Sequence, residues 1–145
     1  DVYKRQIQKF LLSKSSDRLL YCHSKGAANP RTVQQRWRRT MTHDVVVQCD
    51  AAINSLIHND AVGSWWHSPS NKNGPVGYFA GNFWWANIDF LKTLPDPLMI
   101  NRYGAEGWLG LNDKIRPHAI RSGEFPNNSN WEEDWIAGVV TEQST

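Results

Sequence analysis

Most of the short motifs by which enzymes advertise a metal, a phosphate or an activated nucleophile are missing from this 145-residue sequence. It has no HExxH, no P-loop, no GxSxG and no glycine-rich dinucleotide fingerprint. Cysteine is scarce: Cys22 and Cys49 are neither CxxC-spaced nor set beside a histidine at metal-ligand spacing. That predicts buried, reduced thiols in preference to a disulfide or a metal clip. No apolar run approaches the ~20 residues of a membrane-spanning helix, and the start, DVYKRQIQKFLL, lacks a signal-peptide layout. Neither sign of charge dominates. The net charge is +2, and the basic residues are spread out apart from one local cluster, Arg36, Arg38 and Arg39, which argues against nucleic acid as a partner.

What is abundant is tryptophan, eight residues in all, four of them in Trp65-Trp66 and in the segment YFAGNFWWA from Tyr78 to Ala86. The chain has the length of one domain. Its first six residues, DVYKRQ, read as an adapter-derived scar, so residues 7–112 are taken as the C-terminal part of a domain that continues upstream, and 113–145 as a polar extension. Asn127-Asn128-Ser129 forms a glycosylation sequon, relevant only to a secretory chain.

The apolar run RLLYC, from Arg18, reads as a buried strand that delivers the polar loop HSKGAANP. Val33, Trp37, Met41, Val45, Cys49, Ile53 and Leu56 follow in steps of three and four and trace one helical face. Thr32 is placed as N-cap, a kink at His43-Asp44, and the end near Asn59. AVGSWW reads as a second strand, SPSNKNGPVG as a loop, and YFAGNFWWA as a third strand whose side chains alternate between two faces, Phe79, Gly81, Phe83 and Trp85 on one and Tyr78, Ala80, Asn82, Trp84 and Ala86 on the other. Asn87 is placed as the cap of a short helix, IDFLKTL, and RYGAEGWLG as a short helix or tight turn around Glu106. Strands alternating with helices predict an α/β architecture, in which ligand groups gather at the carboxyl ends of strands.

Three places carry residues suited to chemistry. His23 and Lys25 lie two apart beside Gly26 and put an imidazole and an ammonium where an anionic group could approach; a solvated loop is the alternative. In YFAGNFWWA, Gly81 marks a bulge or a ligand approaching the backbone, and Asn82 brings an amide that both donates and accepts. Beside them Trp84 and Trp85 are either core or the flat aromatic surface on which a sugar ring stacks, while Phe79 and Phe83 read as core. Glu106, between small residues and close to Trp108, has the apolar setting that suits a general base, although a lone glutamate is more often a solvated surface group.

LLYCHSKG, the QRWRRTM helix, YFAGNFWWA and RYGAEGWLG, in order from about Leu19 to Leu111, resemble a family of predicted glycosyltransferases. Its members are found beside capsule and cell-surface polysaccharide enzymes and in algal genomes, and their recurring pattern is H-[ST]-K-G, a W-R helix, S-G-N-F-W-W-A and R-Y-x-A-E-x-W. Ala80 stands here where that family commonly has Ser, and Gly107 where a bulkier residue is usual. The resemblance implies a Rossmann-like, GT-A-type domain that moves a sugar from a nucleotide-sugar donor to a glycan or other hydroxyl acceptor. It implies Glu106 as the base, Gly81, Asn82, Trp84 and Trp85 around the sugar, and His23, Lys25 and Gly26 at the diphosphate. The sequence also lacks Asp-x-Asp, the cation-chelating pair of many sugar-nucleotide enzymes, so no metal ligand or cofactor is evident in it; a divalent cation would have to come from upstream residues. The competing expectations are a non-catalytic carbohydrate-binding domain and an inactive, truncated glycosyltransferase-like domain. The compartment would be the cytoplasm for a bacterial chain and the Golgi lumen for a eukaryotic one.

Overall fold

A computed structural model describes residues 17–23, 32–69, 73–96 and 106–122. The predicted first strand forms as β1, Arg18–Tyr21, and is followed by α1, Thr32–Thr42. At His43, where a kink is expected, the helix widens into a π-helical turn, His43–Val47, closed by the amide of Gln48 donating to the carbonyl of His43 at 2.9 Å. Regular geometry resumes in α2, Cys49–Ser55. Short strands β2 (Ala61–Gly63), β3 (Trp66–His67), β4 (Tyr78–Phe79) and β5 (Trp84–Asn87) come next. The chain then adds α3, Ile88–Leu91, a 3₁₀ turn, Trp108–Leu111, and β6, Pro117–Ala119.

The architecture is α/β around a mixed sheet of order β1-β5-β2-β6, with β3 and β4 forming a separate two-stranded ribbon. β5 is antiparallel to both β1 and β2, so β1 and β2 run parallel to each other and the helical segment between them is a split βαβ crossover. β6 joins β2 in parallel. The stretch beyond Asn112, expected to be a polar extension, thus contributes an edge strand. Three residues with Pro at one end carry too little periodicity to announce it.

Each face of the sheet is covered. On one, Trp37, Met41 and Val45 from the helix meet Phe83, Leu20 and Trp85, and Ala52 and Leu56 meet Val62. Cys49 and Ile53, expected on the same stripe, lie half-buried at its margin. On the other face Ala61, Trp84 and Ala86 pack beneath Phe79, Phe90, Leu91, Trp108 and Leu109. Both cysteines are unpaired, but Cys22 is exposed rather than buried. Among the described residues no helix is long and apolar enough to cross a membrane.

The third strand expected over YFAGNFWWA is divided into β4 and β5, which lie in different sheets. Gly81 at φ 83° and Asn82 at φ 61° interrupt it, and the Asn82 amide donates to the Phe79 carbonyl at 2.9 Å, closing a type II turn. The turn reverses the alternation: Phe79 packs on the same face as Trp84, opposite Phe83 and Trp85. Asn87 begins α3 as expected, yet its side chain makes no cap bond there. Instead its Nδ2 donates to the carbonyls of Leu56 at 3.1 Å and Asn59 at 3.0 Å, satisfying backbone acceptors freed where the preceding helical segment ends.

Two charged pairs tie β6 down, one at each end. Before the strand, Arg116 Nη2 lies 3.0 Å from Asp60 Oδ1, on the surface. After it, Arg121 reaches the π-helical turn and donates from Nε and Nη2 to the two carboxylate oxygens of Asp44, each at 2.8 Å. Asp44 is only 2 % exposed, so this second pair is a bidentate latch within the packed layer.

Candidate functional site at the sheet end

Strand order explains why the candidate residues come together. The parallel strands β1, β2 and β6 end on one side of the sheet, and the antiparallel β5 begins there, with Trp84 in register opposite both Tyr21 and Gly63. β1 therefore delivers His23 beside the Gly81-Asn82 turn that precedes β5. The carbonyl of Gly81 can only accept, so His23 Nε2 carries a proton and donates to it at 2.9 Å. The His23 ring also meets Phe83 edge-on, with centroids 5.3 Å apart and planes at 70°.

Gly81 is required by packing as well as by its backbone. A β-carbon there would overlap the Met41 sulfur, and the positive φ already disfavours a side chain. Its hydrogen is thus accounted for by the turn and by the helix beneath it. Asn82 is buried, and its Oδ1 accepts from Trp84 Nε1 at 2.9 Å, which leaves the amide Nδ2 as its donor. Asn82 tolerates the left-handed conformation because its short polar side chain is satisfied locally.

Trp84 and Trp85 do not form a sugar platform. Trp84 is 1 % exposed and belongs to the core. Trp85 turns to the helical face, where its indole N–H donates to the Val45 carbonyl at 2.6 Å. The aromatic face nearest the sheet end belongs to Tyr21, half-buried and stacked on Trp84 with centroids 5.2 Å apart and planes at 18°. Tyr21 is also 6.2 Å from the His23 ring, centroid to centroid.

Glu106 is half-buried just before the 3₁₀ turn, whose Trp108 is wholly enclosed and donates from Nε1 to the Pro95 carbonyl at 2.9 Å. The carboxylate of Glu106 lies close enough to Tyr21 for its charge to act on the phenol. Burial first, then the nearby charges of Cys22 and Glu106, raise the Tyr21 pKa above that of a free phenol. Tyr21 thereby links Glu106 to the neighbourhood of His23, Asn82 and Trp84. Lys25 and Gly26 lie outside the described residues.

Tyr21 is the site residue that the reading of the sequence missed. Its signal was its position as the last residue of a strand, on the same alternating face as Leu19 and two residues before His23. Among the described residues no three His, Cys, Asp or Glu side chains gather in a way that could hold a metal ion.

Residues 5–105 match a family model described as a domain of unknown function, DUF8361. No curated protein and no solved structure matches the chain.

Proposed function

The chain belongs to the DUF8361 family, and from the residues gathered at its sheet end we propose that it is a GT-A-like glycosyltransferase domain, moving a sugar from a nucleotide-sugar to a hydroxyl acceptor. The observation that carries this reading is the meeting of His23, Tyr21 and the Gly81-Asn82 turn at the carboxyl end of β1, with the charge of the general-base candidate Glu106 acting on Tyr21.

In the proposed reaction Glu106 takes the proton of the acceptor hydroxyl as that oxygen bonds to the anomeric carbon. The bond from that carbon to the diphosphate oxygen breaks, and the leaving group departs with the electron pair. His23, through Nδ1 when protonated, and Lys25 stabilise the negative charge that accumulates on it. The Asn82 amide and the Tyr21 hydroxyl supply directional hydrogen bonds to sugar hydroxyls. The burial of Trp84 and the engagement of the half-buried Trp85 with the helix weigh against a purely carbohydrate-binding role, which would need an exposed stacking surface.

Glu106→Gln tests the assignment. A positioned base contributes typically ~10² to 10⁴ in rate, so the variant should lose transfer by a factor of that order while binding the nucleotide as wild type does. Full activity in Glu106→Gln removes the base assignment. Nucleotide binding without transfer by the wild-type chain identifies an inactive domain.

A further inference from the structure

A cavity lies on the helical face, at the opposite edge of the sheet from His23, where the π-helical turn meets the end of β6. Its volume is about 440 Å³, and its walls include His43, Asp44, Gln48, His118, Ile120 and Arg121. π-Helical turns appear most often as local insertions at functional positions, because the extra residue weakens the helix and needs a reason to persist. This one places His43 and Asp44, both buried, among the residues that line the cavity.

The protonation pattern of His43 follows from its neighbour. Asp44 gives both oxygens to Arg121 and is therefore an ionised acceptor. His43 Nδ1 approaches Asp44 Oδ1 at 3.4 Å, so the ring's proton belongs on Nδ1. In the neutral imidazole that leaves Nε2 as a bare acceptor, and Nε2 is buried with no hydrogen-bond partner. An acceptor in such a place lacks a donor, and the arrangement of a carboxylate behind an imidazole fixes which kind of donor fits. The Asp44 charge is already met by Arg121, so the cavity offers no uncompensated charge to draw an ion. Gln48 adds an amide to its wall, and Ile120 an apolar surface.

We propose that this cavity binds a small neutral polyhydroxylated ligand, a saccharide or polyol, which donates one hydroxyl to His43 Nε2 and lays its C–H face against Ile120. The site is independent of the Glu106 cleft. Because Nε2 is covered in the unliganded cavity, the imidazole must turn slightly toward the ligand on binding; the new hydrogen bond offsets that movement.

The test uses the full chain labelled with ¹⁵N-histidine, whose ring nitrogens report tautomer and hydrogen bonding directly. Methyl β-D-glucopyranoside and glycerol are the hydroxyl probes, and acetate is the anionic control. The proposal expects the proton of His43 on Nδ1, and a saturable upfield movement of its Nε2 signal with a hydroxyl probe. The exposed His58 should stay still, and acetate should leave His43 unmoved. His43→Phe should weaken probe binding at least tenfold, whereas His43→Gln, which keeps a hydrogen-bonding group near the position of Nε2, should retain most of it. A proton found on Nε2, no movement of His43 with either hydroxyl probe, or an equal response to acetate overturns the proposal. These readouts come from wild-type protein, so they stand even where a variant fails to fold, and they are separate from the transfer assay on Glu106.

Discussion

Removing the carboxylate of Asp44 is the perturbation whose cost the structure specifies most closely. Asp44→Ala deletes the acceptor of two charge-assisted bonds from Arg121, each 2.8 Å long, and of the 3.4 Å contact from His43. The Arg121 side chain is 17 % exposed, so it stays largely enclosed while losing the carboxylate that accepts both bonds. Breaking a buried pair from one side costs typically about 3–5 kcal/mol. The residual exposure of Arg121 lets water reach part of the guanidinium and places the expected loss near the lower end, about 3 kcal/mol. For a chain of this size that corresponds to a fall in Tm of roughly 10 °C. The assay is urea denaturation of wild type, Asp44→Ala, Arg121→Ala and the double variant, with the coupling taken from the cycle. The double variant should be less damaged than the sum of the singles, by more than ~1 kcal/mol, and the effect should persist in concentrated salt because the pair is shielded. Additivity within ~0.5 kcal/mol would show that Arg121 does not depend on Asp44 and would refute the latch. Arg116→Ala, on the exposed pair at the other end of β6, is the contrast: it should change stability little, and salt should erase the difference.

Three other expectations concern the sheet end. Gly81→Ala forces a β-carbon into the space of the Met41 sulfur at a backbone φ of 83°, and should cost about 2–4 kcal/mol in denaturant melts; a loss below about 1 kcal/mol would mean that the turn relaxes freely. Tyr21 titrates above a free phenol in the folded chain, so the unfolded chain loses this proton first as pH rises past about 10. Tyr21 therefore contributes stability that is complete below that pH and declines as pH climbs through the folded value, and Tyr21→Phe should flatten this part of the alkaline melting profile. Glu106→Gln removes one of the charges that raise the Tyr21 pKa, so NMR titration of the tyrosine ring carbons should show it moving down; an unchanged value separates Glu106 from Tyr21 and with it from the cleft.

Local chemistry in the sequence determined much of this protein. The apolar steps through Trp37, Met41 and Val45 specify a helix with one buried face, RLLYC specifies the strand before it, and His43-Asp44 marks the irregular turn within it, whereas AVGSWW, read as one strand, breaks after Gly63 and divides between two sheets. These features rest on interactions between near neighbours, so periodicity and residue type suffice to read them. His23, Asn82 and Glu106 were legible as candidates for the same reason: their residue types and flanking glycines stand out locally.

Tertiary structure decided what no local pattern encodes. YFAGNFWWA could be an unbroken strand by composition, but Gly81 and Asn82 adopt positive φ because the chain must turn over Met41 and accept the bond from His23. That turn shifts the phase of the alternation, so that Phe79 shares a face with Trp84 and not with Phe83 and Trp85, and Tyr21, 63 positions before Trp84, becomes the ring stacked on it. Likewise Asp44 and Arg121 are 77 residues apart, and their pairing depends on a three-residue edge strand that carries almost no signal of its own. Partners brought together by sheet order lie beyond the reach of sequence periodicity, because a strand's neighbour is chosen by burial of the whole face and not by the residues adjacent in the chain.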